Sequence, residues 1–166
     1  MIRDKKTKKL VSWVPNSAQI KVFNALVKRA AEGRKSYAVV PKSRKRGVST
    51  LAQALLWFRA RERDRWRSLT VAHQSEATTE IFGIAHTIHS HVFVSNKVNM
   101  GSKRILHFPN KSRYRCMTAM GNFGASGSDT DDLHVSEAAL MESKSNQDAE
   151  QIAALFNSIA QGEAAL

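Results

Sequence analysis

Residues 37–50, YAVVPKSRKRGVST, determine the fold prediction because they join an apolar run to a basic loop, a glycine and the start of a helix. In a nucleotide phosphate loop of the pattern Gly-x-x-x-x-Gly-Lys-[Ser/Thr], backbone N–H groups bind the phosphates, the lysine reaches the β- and γ-phosphates, and the hydroxyl binds Mg²⁺. Val48 stands at the lysine position here, and Lys42 stands at the position of the first glycine. A lysine ammonium is a flexible point charge, so Lys42 can reach the same phosphates from the opposite end of the loop.

The residues around this displaced lysine predict an anion site at the start of the helix. Gly47 permits a tight backbone turn, and Ser49 stands where the first N–H groups of the helix point at an anion. A basic turn before a helix is commonly only a solvated surface, and this alternative stays open for the loop taken by itself. The predicted nucleotide-binding residues are Lys42, Ser43, Arg44, Lys45, Arg46, Gly47, Val48, Ser49 and Thr50, with Ser49 as a ligand of Mg²⁺.

The composition indicates a globular protein with one domain or the larger part of one. The chain has 166 residues, of which 42% are hydrophobic, and this is enough for a core. No apolar run approaches the roughly 20 residues that span a bilayer, and the first residues lack the apolar segment of a secretory signal. We therefore expect an intracellular protein that does not bind membranes. The single cysteine, Cys116, excludes a disulfide within the chain and a cysteine-based zinc cluster.

The net charge of +12 is unevenly distributed along the chain. Residues 1–115 contain 25 Lys and Arg against 6 Asp and Glu, a net charge of +19, whereas residues 116–166 contain 1 against 8, a net charge of −7. A cationic body favours a polyanionic partner, and nucleic acid is the commonest polyanion in a cytoplasm. Arg61, Arg63 and Arg65 are the predicted DNA contacts, although the same run, interleaved with acidic residues, also fits a solvated helix end.

Apolar spacing and turn signals divide the chain into alternating helices and strands. Asn16 offers a helix cap, and Gly33 ends the helix that follows it. Strands that alternate with helices of this length favour a parallel α/β sheet. We expect a basic N-terminal arm at residues 1–14 and one domain at residues 15–166. The predicted helices cover about residues 17–31, 49–63, 75–90 and 146–160, and the predicted strands cover residues 36–40, 69–72, 105–108, 112–118 and 133–135.

A second chemical site is predicted at residues 129–141, DTDDLHVSEAALM, where an apolar strand ends in Ser136 and Glu137. In P-loop NTPases the strand beside the loop presents an acidic residue to Mg²⁺, and a following glutamate polarises the attacking water. Glu137 fits the role of this glutamate. Ser136 takes the place of the usual aspartate, and its neutral hydroxyl can hold the metal only weakly or through a water molecule. The alternative for Glu137 is an acid at a helix N-terminus, where the helix dipole stabilises it by about 0.3–1 kcal/mol.

With both sites considered together, the chain resembles the ATPase part of the large terminase subunit of tailed bacteriophages, the motor that drives DNA into a preformed capsid. The resemblance covers about residues 15–141 and extends more weakly to about residue 161. Lys42 and residues 44–50 are similar to the shifted-lysine phosphate loop of that family. VAHQSEATTEIF is similar to the segment after its second strand, and LHVSEAAL is similar to its acidic strand. Gln19, within PNSAQIKVFNAL, looks like the glutamine that such proteins use near adenine.

The resemblance implies a P-loop NTPase fold of the ASCE type, with a parallel sheet flanked by helices and incomplete at the C-terminal end. It implies that ATP and Mg²⁺ are the cofactors, that Lys42 and Glu137 are catalytic, and that Arg44 acts as a switch or charge stabiliser. The implied partners are double-stranded DNA, other copies of the chain in a ring, a small terminase subunit and the capsid portal. The implied location is the host cytoplasm, with transient attachment to the procapsid.

The chain departs from the family pattern in two respects. Family members are several times longer and continue into a coupling strand and a nuclease domain with clustered carboxylates, so we do not expect nuclease activity here. The segment GNFGASG, residues 121–127, stands where the family more often has an Arg-Gly pair, and this leaves the arginine finger unidentified.

Two other functions remain open from the sequence. A helicase-like ATPase stimulated by nucleic acid would share the fold and both sites, and strand separation would distinguish it from a packaging motor. A truncated remnant that binds nucleotide or DNA without turnover would fit the missing coupling strand, because an incomplete sheet exposes its edge.

Overall fold

A computed structural model describes residues 1–3, 7, 9–32, 38–41, 46–92, 104–119 and 130–137. These residues contain helices and a sheet with parallel strand pairs, which confirms the predicted α/β class. The helix predicted at residues 146–160 lies outside the described residues, and no helix within them is both long and apolar enough to cross a membrane. The elements are β1 (Ile2–Arg3), β2 (Leu10–Val11), α1 (Ser17–Ala31), α2 (Val48–Glu62), β3 (Arg67–Ala72), α3 (Ser75–Val92), β4 (Ile105–His107), β5 (Arg113–Thr118) and β6 (Asp132–Ser136).

Four strands form one mixed sheet in the order β4-β5-β3-β6. β3 pairs in parallel with β5 on one side and with β6 on the other, whereas β4 and β5 are antiparallel. The prediction of a parallel sheet is therefore wrong for β4. Only residues 108–112 connect β4 to β5, and this length permits a hairpin but not the crossover that parallel strands require. A separate two-stranded ladder pairs β1 with β2 within the predicted basic arm.

The strand predicted ahead of the basic loop, at residues 36–40, is not formed in its described part. Residues 38–41 have no regular secondary structure, and Val39 is 95% exposed. A β-branched residue gains little from an extended conformation unless its side chain packs against a neighbour, and Pro41 cannot donate a backbone hydrogen bond to a ladder. The fold that the described residues establish is an α/β fold with a mixed four-stranded sheet flanked by helices.

The main core lies between one face of the sheet and the helices α2 and α3. Tyr114 and Cys116 share this face of β5, because alternate residues of a strand point to the same side. Trp57 of α2 and Ile81 of α3 belong to the same buried cluster. Burial of each large apolar side chain of this kind contributes about 1.5–3 kcal/mol. The other members of the cluster are Leu56, Ala60, Ala72, Ala85, Leu106 and Phe108.

The buried face of α2 differs from the face that the apolar spacing predicts. Leu51, Ala54, Leu55 and Phe58 have the spacing of one helix face, which predicts that they are buried together, yet Phe58 is 52% exposed. A pattern of apolar residues misplaces this face because Gln53, which is polar, is one of its fully buried members. The buried residues of α2 are Leu51, Gln53, Leu56, Trp57 and Ala60.

Helix α1 begins as predicted but leaves its apolar residues largely in solvent. Asn16 is the N-cap, and its side chain accepts a hydrogen bond from the backbone of Gln19 in a reciprocal capping box. Ile20, Phe23 and Val27 are between 42% and 48% exposed, and Gln19 is the buried residue of the helix. The apolar spacing thus predicts the helix correctly but does not predict which of its residues are buried.

The C-terminal end of α2 is closed by a side chain from the β4–β5 turn. Asn110 Nδ2 donates hydrogen bonds to the carbonyl oxygens of Ala60 at 2.9 Å, Arg61 at 2.8 Å and Arg63 at 2.7 Å. The last carbonyl groups of a helix have no N–H donor within the helix, so they need donors such as this amide group. One amide group therefore fixes the helix end to the turn.

His89, near the end of α3, is a buried structural residue. Trp57 Nε1 donates a hydrogen bond to His89 Nδ1 at 3.0 Å. Burial, and then the charge of His86, lowers the pKa of His89 to about 4. His89 is therefore neutral at neutral pH, and its Nδ1 acts as an acceptor inside the core.

Candidate active site

The start of α1 contacts the loop that precedes α2. Gln19 is 3% exposed, and its Oε1 accepts a hydrogen bond from the backbone N–H of Asn16 at 2.8 Å. Gln19 Nε2 donates to the carbonyl oxygen of Gly47 at 2.7 Å, and Asn16 Nδ2 donates to that of Arg46 at 3.2 Å. The glutamine that the resemblance places near adenine therefore uses its amide group to hold the backbone of the basic loop.

Gly47 has a left-handed backbone conformation with a φ of 74°. A Cβ atom at this position would lie 2.7 Å from Gln19 Nε2 and 3.3 Å from Gln19 Cδ. The left-handed region disfavours residues that carry a Cβ, and the capping box prevents Gln19 from moving away freely. Two independent reasons therefore require glycine here, and α1 rests directly on the loop backbone.

The start of α2 has the properties of an anion site. The helix begins at Val48 after Gly47, with no side-chain cap and no acidic residue in its first turn. The first N–H groups of a helix have no acceptor within the helix and carry partial positive charge, so they suit a phosphate. Ser49 and Thr50 are half-buried in this turn, and Arg46 is exposed. Lys42, Ser43, Arg44 and Lys45 lie outside the described residues.

Two polar contacts fix α2 against β6. Arg59 forms an ion pair with buried Asp132 at the first residue of β6, and Gln53 Nε2 lies 3.0 Å from His134 Nδ1 as a hydrogen-bond donor. The later residue of α2, Arg59, contacts the earlier residue of β6, and the earlier residue of α2, Gln53, contacts the later residue of β6. The helix therefore runs antiparallel to the strand. The first turn of α2 accordingly lies toward the end of β6 that leads into Glu137.

A buried hydrogen-bonded network stiffens this connection between α2 and the sheet. Gln53 Oε1 accepts hydrogen bonds from Tyr114 OH and from Thr70 Oγ1, the latter at 3.2 Å. Tyr114 OH also lies 2.8 Å from Cys116 Sγ. Burial raises the pKa of Tyr114 well above its ordinary value and raises that of Cys116 to about 12. The network therefore keeps one arrangement and leaves Cys116 protonated, which excludes it as a nucleophile at neutral pH.

The two predicted residues at the end of β6 differ in exposure. Ser136 ends the strand and is 5% exposed, whereas the side chain of Glu137 is 34% exposed. Glu137 has a left-handed backbone conformation with a φ of 57°, which costs a residue other than glycine about 1–3 kcal/mol. Its Oε2 lies 3.5 Å from Nδ1 of His73, a residue that the sequence analysis did not identify. The signal that could have found His73 is its position directly after β3, next to the strand that leads into Glu137.

The three arginines predicted to contact DNA lie at the opposite end of the sheet. Arg61 lies in the last turn of α2, Arg63 is its C-cap, and Arg65 lies in the turn before β3. Because α2 runs antiparallel to β6, its C-terminal end is remote from Glu137. The structure therefore separates the proposed DNA contacts from the proposed catalytic glutamate.

Two of these arginines stack on tryptophan rings. The guanidinium of Arg61 lies 5.7 Å from the ring centre of Trp57, and that of Arg63 lies 4.3 Å from the ring centre of Trp66. Burial, followed by the positive charge of Arg59, lowers the pKa of Arg63. Arg61 and Arg63 therefore have intramolecular roles beside any contact with a partner.

No family model matches the chain, and no curated protein and no solved structure is significantly similar to it. Within the described residues, no group of three or more His, Cys, Asp or Glu side chains could bind a metal ion. The interpretation of the site thus depends on the geometry of the described residues and on the motifs of the sequence.

Proposed function

We propose that the chain is the ATP-hydrolysing motor domain of a phage DNA-packaging terminase large subunit, with a P-loop NTPase fold of the ASCE type. The observation that supports this proposal most is the alignment of α2 with β6. An uncapped helix start, preceded by left-handed Gly47, lies toward the strand end that leads into Glu137. Open α/β sheets bind ligands outside the carboxyl ends of their strands, and helix starts at that edge bind phosphate.

The residues at this edge suit the triphosphate of ATP. Gly47 lets the backbone approach closely, and the N–H groups of residues 48–50 together with the Lys42 ammonium complement the negative charge. Glu137 accepts a proton from water as the water oxygen bonds to the γ-phosphorus and the bond to the β–γ bridging oxygen breaks. Lys42, Arg44 and the loop N–H groups stabilise the charge that develops on the phosphoryl oxygens.

Ser49 and Ser136 are the proposed ligands of Mg²⁺. Ser49 lies in the first turn of α2, and Ser136, at 5% exposure, fits a contact through a water molecule better than a direct one. Mg²⁺ is commonly held by few protein groups together with phosphate oxygens and water, so the site does not need a cluster of carboxylates. When bound, the ion neutralises charge on the β- and γ-phosphates.

We propose double-stranded DNA as the polyanion that the cationic body binds. Arg65 is exposed beside the stacked Arg61 and Arg63, and residues 1–115 have a net charge of +19. A ring of copies, which would bind a small terminase subunit and the capsid portal in the host cytoplasm, would convert hydrolysis into DNA movement.

The assignment of the displaced lysine is tested by replacing Lys42 and Val48 separately. Lys42→Ala removes a charge-assisted contact of about 1.5–3 kcal/mol, so the affinity for a non-hydrolysable ATP analogue should fall about 10- to 150-fold in calorimetric titrations. Val48→Ala is the matched control, because it removes no charge from the position at which the common pattern has its lysine. Unchanged affinity in Lys42→Ala would show that the phosphates are bound elsewhere.

The motor function is tested by measuring ATP turnover with and without mixed-sequence duplex DNA. We expect Mg²⁺-dependent hydrolysis that duplex DNA stimulates, without separation of the strands. Strand separation would instead support a helicase-like ATPase. Nucleotide binding without hydrolysis at saturating ATP and DNA would contradict the motor and support a non-catalytic remnant.

A further inference from the structure

Two side chains of complementary chemistry follow adjacent parallel strands. β3 ends at Ala72 and β6 ends at Ser136, and these two residues are partners in the parallel register. His73 and Glu137 come directly after them and so occupy equivalent positions at the carboxyl end of the sheet. Parallel strands bring their carboxyl ends to one edge, which places the imidazole beside the carboxylate.

The contact between them is oriented but longer than an ordinary hydrogen bond. His73 Nδ1 lies 3.5 Å from Glu137 Oε2, and the His73 side chain is 13% exposed. Within the described residues, this buried nitrogen has no hydrogen-bond partner. A buried polar atom without a partner is unfavourable, so the nitrogen has a reason to approach the carboxylate. Catalytic hydrogen bonds are often long before substrate binds and shorten in the substrate complex.

Independent of this contact, the backbone at Glu137 is strained. Glu137 has a φ of 57°, a conformation that such residues keep only where the surroundings enforce it. The side chain of this strained residue lies beside His73, with Oε2 at 3.5 Å from Nδ1. The geometry points to His73 as a positioning residue whose Nδ1–H donates a hydrogen bond to Glu137 Oε2 and orients the carboxylate toward the attacking water. This role rests on the proposed ATPase function.

The kinetic test compares three histidine variants in the full chain. His73→Ala should lower the single-turnover rate of ATP hydrolysis about tenfold, the effect of one hydrogen bond, and leave the dissociation constant of Mg·ATP unchanged. His73→Asn should recover most of the rate, because the asparagine Nδ2 donor stands close to where the imidazole Nδ1 stood. His107→Ala is the matched control, since His107 is exposed at the other end of the sheet and should behave like the parent.

A loss of nucleotide affinity in His73→Ala, or an equal loss of rate in the Ala and Asn variants, would show that His73 acts through packing and would overturn the proposal. A His73→Ala variant that hydrolyses at the parent rate would overturn it as well.

A second measurement does not depend on hydrolysis and so separates this proposal from the proposed function. Imidazole ¹⁵N spectra of the parent should show His73 with its proton on Nδ1, and Glu137→Ala should shift this signal while the His107 signal stays in place. If the parent protein hydrolyses no ATP, the motor function fails, yet this spectrum still decides whether the His73–Glu137 bond exists. A His73 signal that does not respond to Glu137→Ala overturns the inference whatever the activity.

Discussion

The carboxylates at the two ends of β6 differ in how completely they are bonded. At the amino end, buried Asp132 accepts from Arg59 and from Trp66 Nε1, the latter at 2.7 Å, and Asn110 closes the end of α2. At the carboxyl end, Glu137 meets His73 only at 3.5 Å. The well-bonded Asp132 thus lies at the amino end of β6, and the proposed catalytic residue lies at its carboxyl end. The looser bonding of Glu137 fits its proposed role, because a catalytic carboxylate has to change its contacts during a reaction.

The largest expected effect concerns Glu137. Glu137→Gln keeps the shape of the side chain and removes its negative charge, so hydrolysis should fall about 10²- to 10⁴-fold, as for a lost general base. Binding of Mg·ATP and the free energy of unfolding should change little, because the contact with His73 is long, at 3.5 Å, and the glutamine amide oxygen can still accept from it. Steady-state turnover, nucleotide titration and urea unfolding measure these three quantities.

Glu80→Gln is the matched control, since Glu80 is exposed on α3. A Glu137→Gln variant that turns over ATP at the parent rate would return Glu137 to the role of a helix-start acid. A large loss of stability in that variant would remove the contrast between the two ends of the sheet.

The second effect lies at the amino end and concerns Asp132. Asp132→Ala removes an ion pair and a hydrogen bond from a buried carboxylate, and the free energy of unfolding should fall by about 2–3 kcal/mol, reduced by the partial exposure of Arg59. Urea unfolding measures this change. Asp64→Ala is the control, because Asp64 is exposed in the neighbouring turn and should cost little. Equal stability of Asp132→Ala and Asp64→Ala would show that the Asp132 contacts do not stabilise the amino end of β6.

The sequence predicts the elements well because local signals determine them. The cap at Asn16, the apolar run of β3 and the alternation through β5 all reflect neighbours within a few residues, and α1, β3 and β5 follow the predicted bounds closely. The short strands β1 and β2 were not predicted. The antiparallel β4 also has a local cause, the short turn after it, which a prediction of uniform alternation overlooks. The strand predicted at residues 36–40 is not formed at its described residues 38–40, where Val39 is 95% exposed.

The long-range contacts could not be read from the same signals. Gln53 and His134 are 81 residues apart, and nothing in the spacing of either segment indicates that a glutamine inside an apolar helix would be buried against a strand. Gln19 likewise looks like a solvated polar residue in a first helical turn, yet it holds the backbone of Gly47. Polar residues that are buried through distant partners escape any analysis based on apolar periodicity.

A third, smaller effect concerns the turn at which the loop meets α2. Gly47→Ala forces a Cβ into the left-handed region and against Gln19, so it should destabilise the protein by about 1–2 kcal/mol and weaken ATP binding. Gly83→Ala is a matched control that should change the stability in the opposite direction. Nothing lies within 4 Å of a Cβ built at Gly83, which is within α3, so alanine should stabilise the helix by about 0.5–1 kcal/mol. Thermal unfolding of both variants measures the difference, and equal shifts in the two would contradict the strained geometry at Gly47.

The smallest expected effects are in DNA binding at the amino end, where Arg65 should contribute more than Arg63. Binding to mixed-sequence duplex should be electrostatic, with log K falling against log salt by about 0.9 for each phosphate neutralised. Arg65→Gln should reduce this slope by about one such step, because Arg65 is exposed. Arg63→Gln should reduce it less, since stacking on Trp66 and partial burial already hold the Arg63 guanidinium within the protein.

Fluorescence anisotropy over a range of salt concentrations measures these slopes, and ATP affinity should be unaffected in every arginine variant. Lys28→Gln is the control for a lost positive charge elsewhere, because Lys28 is exposed on α1. The triple variant Arg61→Gln, Arg63→Gln and Arg65→Gln should show the combined reduction. An undetectable affinity of the parent at low salt, or a slope that Lys28→Gln lowers as much as Arg65→Gln does, would mean that the amino end is not the DNA-binding surface. In that case the arginines stacked on Trp57 and Trp66 would serve the stability of this end alone.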